Sequence, residues 1–427
     1  MATTRPEPPG APEIVPGRLK WPRWVFVVWF GAANLGLHMA LTTPASVTLA
    51  LRIAEIDPEG KVTSLATVLA IGSLFGFAAN PLFGRLSDRT TGRWGMRKPW
   101  LLAGLAVATV TTVVMASATS LLLITISWAA TKLALNAAGS PLAAVVPDQF
   151  PDRQRARISG FVGALQQASP AVGAFFVQGV GESSFWMFMV PALVALATVV
   201  VFVLILPDRR LDRADVQPLT FREVIGSYWF DVRAHPNFAW VWLCRFLIWM
   251  AIASAMSYQP YFLSDRLGMA DEELADAVFE TMLVLSGGLI VFGNVFGYIS
   301  DRVGKRRVFV LASGFGIVCG LLMIAFSGDY AQFLIGATVI GISGGIFIPT
   351  DVALAIETMP DERREAGHGM GILNLSTAVP NSLAPAVAPL ALGIGSDGYQ
   401  NYTALFVAAA VSAAVGAALI FFVRNVK

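Results

Sequence analysis

Three charged residues stand inside long apolar runs: Lys132, Arg245 and Asp351. A charge withdrawn from water is costly unless it is paired, faces an aqueous cavity, or reaches the interface along its own stem. Lys132 lies roughly 20 Å from either end of its run at about 1.5 Å per residue, too deep to reach water easily, and reads as a cavity residue. Arg245 comes early in its run, so reaching the interface competes with a cavity role. Asp351 is the one acid clearly within a run, where it could pair with Arg245 or Lys132, balancing charge, or bind a proton. His38, near the middle of the first run, could hydrogen-bond a hydroxyl or transfer a proton, and could equally be a satisfied packing group.

Neutral groups add to this set. Asn34, Asn136, Gln166, Gln167, Asn374 and Tyr258 offer the donors and acceptors that a polyhydroxylated ligand needs, while interhelical hydrogen bonding is the plainer use of each. Trp249 could stack on a sugar ring. The chemistry implied is reversible binding and proton or cation exchange, not covalent catalysis. The sequence has no phosphate loop, no His-Glu metal spacing and no nucleophile, base and acid set, and His38, His235 and His368 share no short motif. No enzyme activity, cofactor or metal is expected, and the energy source is an ion or solute gradient, with H+ or Na+ as the candidate coupling ion.

The elements that hold these residues follow from composition. With 56% hydrophobic and 14% charged residues, and runs long enough to cross a hydrocarbon layer of roughly 30 Å, the chain reads as a polytopic membrane protein. Cys244 and Cys319 lie in separate apolar runs and suggest neither a disulfide framework nor a zinc site. Twelve spans are expected, near 24–50, 63–86, 99–117, 120–146, 158–181, 185–206, 237–263, 277–299, 308–327, 330–357, 367–393 and 401–424. Lipid offers backbone groups no outside partner, so runs of this length must be helices. The expected fold is all-α, twelve transmembrane helices in two pseudo-symmetric bundles of six.

Two charged hinges interrupt the runs: GRLSDRTTGRWGMRK at 84–98 and GYISDRVGKRR at 297–307. Gly84 and Gly297 permit close helix contact, while Asp88 and Asp301 can meet arginine and the positive end of a neighbouring helix. Arg89, Arg97, Arg302 and Arg306 complete these candidate gates; enforcement of topology accounts for part of the basic cluster. The spacing from Gly84 to Gly297 is 213, and from Gly95 to Gly304 it is 209. The 209 spacing persists from Pro151, Asp152, Arg155 and Gly160 to Pro360, Asp361, Arg364 and Gly369. Such a same-orientation repeat predicts a pseudo-two-fold axis along the membrane normal, with the solute path between halves. Small-residue pairs such as Gly72 with Gly76 and Gly293 with Gly297 are packing devices.

Placing both hinges in the cytoplasm puts 25 of the 30 Lys and Arg on that side, with both termini. The expected organisation is a disordered cytoplasmic tail over 1–23, a first bundle over 24–206, a cytoplasmic central loop over 207–236, and a second bundle over 237–427. LTFREVIGSYWF in the central loop suits a short interfacial helix as well as it suits a solvated linker.

On these hinges, the Pro-Asp-x-x-Arg loops after helices four and ten, and twelve spans, the chain resembles the major facilitator superfamily of secondary transporters. Within it, SDRTTGRWGMRKPW, the pair Thr43 and Pro44, and the spacing of Asn136, Pro141 and Asp148 resemble the sucrose transporter and glycoside-pentoside-hexuronide branch. That resemblance implies sugar transport by alternating access. It also implies that Asp88 latches onto helix eleven near Gly367 to Gly371 in an outward-open state, and Asp301 onto the start of helix five. Lys132 stands where proton/sucrose symporters place an Asp, and Ala143 where they place an Arg, so the same coupling groups are not implied.

The leading expectation is a cation-coupled transporter for a sugar or glycoside, monomeric, in the inner cytoplasmic membrane of a bacterium, with the lipid bilayer and a small solute as partners and no nucleic acid. The alternative is an efflux pump or facilitator for another small molecule, with Lys132 and Arg245 attracting an anionic group. A non-transporting membrane sensor ranks below both.

Overall fold

The computed structural model describes residues 21–180, 183–208, 232–359, 366–395 and 400–423. The expected tail over 1–23 falls largely outside them, as does most of the central loop with its LTFREVIGSYWF stretch. Among the described residues the fold is helical throughout, with one isolated bridge between Gly92 and Gly95. The first six long helices are α1 (Arg23–Ile56), α2 (Lys61–Asp88), α3 (Lys98–Ala116), α4 (Leu121–Gln149), α5 (Asp152–Gly179) and α6 (Ser184–Ile205). The next six are α7 (Pro236–Ser257), α8 (Asp271–Val303), α9 (Arg306–Ala325), α10 (Tyr330–Thr358), α11 (Ala366–Leu392) and α12 (Tyr402–Leu419).

Eleven of the described helices are long and apolar enough to cross a membrane. The exception is α5, which spans 28 residues yet carries Gln166, Gln167, Ser169 and a charged first turn. Its length and its packing against α1 and α8 put it in the bundle with the others, so its polarity marks a helix that does not face lipid all round.

Packing repeats with a period of six helices. In the first half α1 packs on α5 and α6, α4 on α2 and α3, and α3 on α6; in the second half α7 packs on α11 and α12, α10 on α8 and α9, and α9 on α12. The halves meet through α5 with α8 and α2 with α11, two contacts that exchange under the same operation. Polar starts fix several helix ends: Asp329 Oδ1 accepts from Gln332 N at 2.8 Å and Asn401 Oδ1 from Ala404 N at 2.9 Å.

Glycine rows set how closely α2 and α4 approach. A Cβ on Gly72 would meet the Trp128 indole at 2.2 Å, one on Gly76 would meet Asn136 Nδ2 at 3.1 Å, and one on Gly84 would touch Ser140 Cβ at 3.8 Å. The row therefore faces Trp128, Lys132, Asn136 and Ser140, spaced one turn apart on α4. In the second half a Cβ on Gly297 would touch Pro349 Cβ at 3.5 Å, and Pro349 is 209 residues after Ser140.

The buried core is distributed unevenly. Towards the hinge end, the first half has its own cluster in which Phe26, Phe30, Phe150 and Phe202 meet. At the opposite end one cluster runs through both halves, joining Val47, Ala50, Ile53, Val62 and Leu65 to Tyr258, Tyr261 and Leu263.

Candidate functional site

The first hinge is built around Arg97. Its Nη1 donates to Asp88 Oδ1 at 2.6 Å and to Ser87 Oγ at 2.8 Å, and its Nε to Asp148 Oδ2 at 3.0 Å. Burial opposes the guanidinium charge, but Asp148 and Asp88 more than offset it, so the pKa lies above the usual arginine value. Asp208, just past α6, accepts from Arg97 N at 2.7 Å and Lys98 N at 2.8 Å, capping the start of α3. A Cβ on Gly95 would sit 2.3 Å from Asp208 Oδ2, and its φ of 96° favours glycine independently. Asp88 stays within its own half, with its side chain 54% exposed.

The second hinge repeats the plan, and its described ion pair is longer and more exposed. Arg306, 209 residues after Arg97, donates to Ala353 O at 3.0 Å and to Glu357 Oε2 at 3.3 Å, and Glu357 lies 209 residues after Asp148. Arg307 Nη2 reaches the carbonyl of Ile420 at 3.2 Å, tying the end of α12 to the start of α9 as Asp208 ties the end of α6 to the start of α3. Gly304 takes φ 67° at the end of α8. The Arg302 guanidinium lies over the Tyr298 ring, 4.6 Å from its centroid, and Arg89 Nη1 donates to Arg85 O at 3.1 Å. The side chains of Asp301 and of residues 366–371 lie outside the description.

Within the spans, Arg245 and Asp351 find each other. Arg245 Nη1 donates to Asp351 Oδ2, and Nε donates to Thr377 Oγ1 of α11 at 3.1 Å. Asp351 is fully buried and its Oδ1 has no partner among the described residues. Arg245 is 8% exposed, so it does not reach the interface along its stem, and the pair balances charge inside the second half, not across the halves.

Lys132 has a different environment. Its ammonium sits 4.8 Å from the Trp128 ring centroid, its stem lies along Gly76, and among the described residues it has no carboxylate partner. His38 on α1 is within electrostatic reach of it and lies against the Asn34 backbone one turn earlier. Asn136 Nδ2 donates back to Lys132 O at 2.8 Å, and Asn34 Nδ2 to Phe30 O at 2.9 Å, so part of each amide serves its own helix.

Gln166 and Gln167 are partly exposed on α5, and their side chains make no hydrogen bond to protein among the described residues. Asn374 is exposed on α11 and shares a face with Thr377 and Asn381. Tyr258, by contrast, is fully buried and bonded to backbone carbonyls of both halves. Trp249 Nε1 is buried without a partner among the described residues. Sequence reasoning missed Ser87, Asp208 and Glu357; the last was recoverable from the 209 spacing applied to Asp148.

Family comparison decides what kind of protein carries this arrangement. The family model described as Major Facilitator Superfamily matches residues 25–385 and 279–427. The chain belongs to the Major Facilitator Superfamily. Two solved structures are similar across 94% of this chain: the nucleoside transporter NupG, with a TM-score of 0.72 at 12% identity, and the human organic anion transporter MFSD10, with 0.67 at 15%; each is covered in full. Among curated relatives, the multidrug resistance protein MdtG of Salmonella typhimurium (strain LT2) is 28% identical over 193 residues, 44% of this chain and 45% of its own. The chain thus matches less than half the length of these curated relatives. As a member of this superfamily, with eleven described helices long and apolar enough to cross a membrane, the chain is a multi-pass membrane protein.

Proposed function

We propose that this facilitator is a secondary active transporter of a small, neutral, hydroxyl-rich solute, a sugar or glycoside, working by alternating access as a monomer. One observation carries the reading. The buried guanidinium of Arg245 is already neutralised by Asp351, whereas the amides of Gln166, Gln167 and Asn374, on two of the four helices where the halves meet, have no partner among the described residues. Unbonded amides suit hydroxyls that donate and accept, and ligands of this class gain specificity from such pairing. Proton coupling would run through Asp351, whose second oxygen is buried without a donor among the described residues.

The halves are joined at the end opposite the hinges, and among the described residues Asp88 bonds within its own half. With the hinges and both termini in the cytoplasm, as the arginine distribution favours, this is the state closed to the outside, in the cytoplasmic membrane.

A second reading rests on Lys132, a cation without a carboxylate partner among the described residues. It favours efflux of an organic anion or drug, as the names of two similar proteins suggest. A thermal-shift screen of the purified protein against sugars, glycosides and organic anions at two pH values separates the two, since a ligand of the folded state raises Tm. Stabilisation by neutral glycosides that is lost in Gln166→Leu and Gln167→Leu supports the first. Stabilisation by anions alone, lost in Lys132→Met, supports the second.

A further inference from the structure

A threonine buried in a membrane helix turns its hydroxyl back on its own helix, to the carbonyl four positions earlier. Thr131 donates to Ser127 O at 2.8 Å, and Thr281 to Ala277 O and Thr350 to Ile346 O at 2.7 Å each. Thr43 and Thr48 on α1 depart from this: both are fully buried, and neither hydroxyl has a partner among the described residues. The cause is local. Within α1, Pro44–Thr48 form a π-helical turn, in which Leu49 N donates to Pro44 O five positions back. One extra residue in the turn sets Thr48 above Thr43, where an α-helix would set residue 47. Pro44 has no N–H, so Ala40 O also lacks its α-helical donor.

A third group reaches this corner from α7. Gln259 is fully buried with neither amide atom bonded among the described residues. The short turn that carries it, Gln259–Tyr261, packs against the π-turn, and Tyr261 Oη donates to Ala50 O, two residues beyond Thr48, at 2.9 Å. On the α5 side, a Cβ on Gly173 would run into Thr43 Oγ1, so the glycine leaves that hydroxyl its place. The set is made of hydroxyl, amide and carbonyl oxygens, the donors that hard cations take, and carbonyls released by an interrupted membrane helix hold small cations. It includes no carboxylate. The cost of dehydration rises with the square of the charge, so such a site favours a monovalent over a divalent ion.

We propose that Ala40 O, Thr43 Oγ1, Thr48 Oγ1 and Gln259 Oε1 form a binding site for Na+ at the π-turn of α1. The bound ion supplies the partner that these buried groups lack in protein. The site uses none of the groups assigned to solute or proton, so its test is read without solute and is independent of the solute class.

Thermal unfolding of the purified protein in NaCl, KCl or choline chloride at equal ionic strength tests the site. At about twentyfold excess over its Kd, Na+ should raise Tm by about 2 °C relative to choline, and K+ by clearly less. Thr43→Val and Thr48→Val exchange the hydroxyl for a methyl at similar volume, and each should raise the Na+ concentration for half the shift about tenfold or more. Gly173→Ala should do the same by displacing Thr43 Oγ1. Thr281→Val, whose hydroxyl is already bonded in its helix, should keep the wild-type Na+ response. Gln259→Met removes a buried unpartnered amide, so it should hold or raise Tm in choline while weakening the response to Na+, a combination that a purely structural role would not give. Equal Tm in NaCl and choline chloride, or a Na+ response unchanged in both valine variants, would overturn the proposal and leave these groups to water. Should the valine variants not fold, an unchanged Na+ response in Gln259→Met overturns it alone.

Discussion

Arg245 on α7 and Asp351 on α10, 106 residues apart in sequence, form a buried ion pair that Thr377 on α11 completes. Three helices of the second half are thereby tied together at one point. Removing one partner leaves an uncompensated buried charge, at about 3–5 kcal/mol, whereas replacing both with apolar groups of similar volume is close to neutral. Arg245→Met and Asp351→Leu should therefore each lower Tm sharply, and the double variant should recover most of the loss. Thermal unfolding of the purified proteins checks this; a double variant as unstable as the worse single would mean the pair is not the dominant contact.

The two hinges should differ in strength despite their shared plan. Arg97 serves two carboxylates and a hydroxyl with its side chain 7% exposed, while the Arg306 and Glu357 side chains are 28% and 39% exposed and meet at 3.3 Å. Partly exposed pairs contribute about 0–1 kcal/mol, and buried hydrogen bonds to charged groups about 1.5–3 kcal/mol each. Arg97→Gln should destabilise clearly more than Arg306→Gln in the same unfolding measurement.

How much of this was legible in the sequence depends on the distance over which each feature is specified. Helices α1 to α12 follow from long runs of helical length, and even α5, the polar exception, was among the twelve expected spans, at 158–181. The 209 spacing foretold that Arg97 and Arg306 hold equivalent places. Pair choice was not legible. Asp351 had Arg245 and Lys132 as candidate partners, and only the packing of α7 on α10 and α11 selects Arg245. Asp208 and Asp265 act on groups 111 and 204 residues away, and no periodicity announces such contacts. Tyr258 had the composition of a ligand-binding group, yet its hydroxyl satisfies a carbonyl that a proline four residues on leaves free.

Glycines of the hinges offer a second contrast. Gly95 and Gly304 both take positive φ, but a Cβ on Gly304 meets nothing within 4 Å, while one on Gly95 runs into Asp208. Gly304→Ala should cost only the left-handed penalty, about 1–2 kcal/mol. Gly95→Ala should cost more, and Asp208→Ala in the same chain should return part of the excess. Equal losses for the two glycine variants, read by thermal unfolding, would show that Asp208 yields without resistance.

Along α2 the glycine row should grade in the same way. A Cβ on Gly72 would lie 2.2 Å from the rigid Trp128 indole, whereas one on Gly76 would meet Asn136 Nδ2 at 3.1 Å and the flexible Lys132 stem at 3.7 Å. Gly72→Ala should therefore lower Tm more than Gly76→Ala, because the indole is packed on all sides and an overfilled core costs about 1–3 kcal/mol.

Lys132 makes the opposite prediction from Arg245, and the sign separates a functional charge from a structural one. Its partner is an aromatic face, worth about 0.5–2 kcal/mol, and among the described residues no carboxylate offsets its placement in a span, which costs about 2.5–3.5 kcal/mol near a helix centre. Lys132→Met keeps the stem that packs along Gly76 and removes only the charge, so it should leave Tm unchanged or raise it, while Arg245→Met lowers it. If the charge is retained because transport needs it, the same variant should lose uptake in proteoliposomes for whichever solute stabilises the wild type. A fall in Tm comparable to that of Arg245→Met would assign Lys132 a structural partner instead, and unchanged uptake at unchanged Tm would remove it from the solute path.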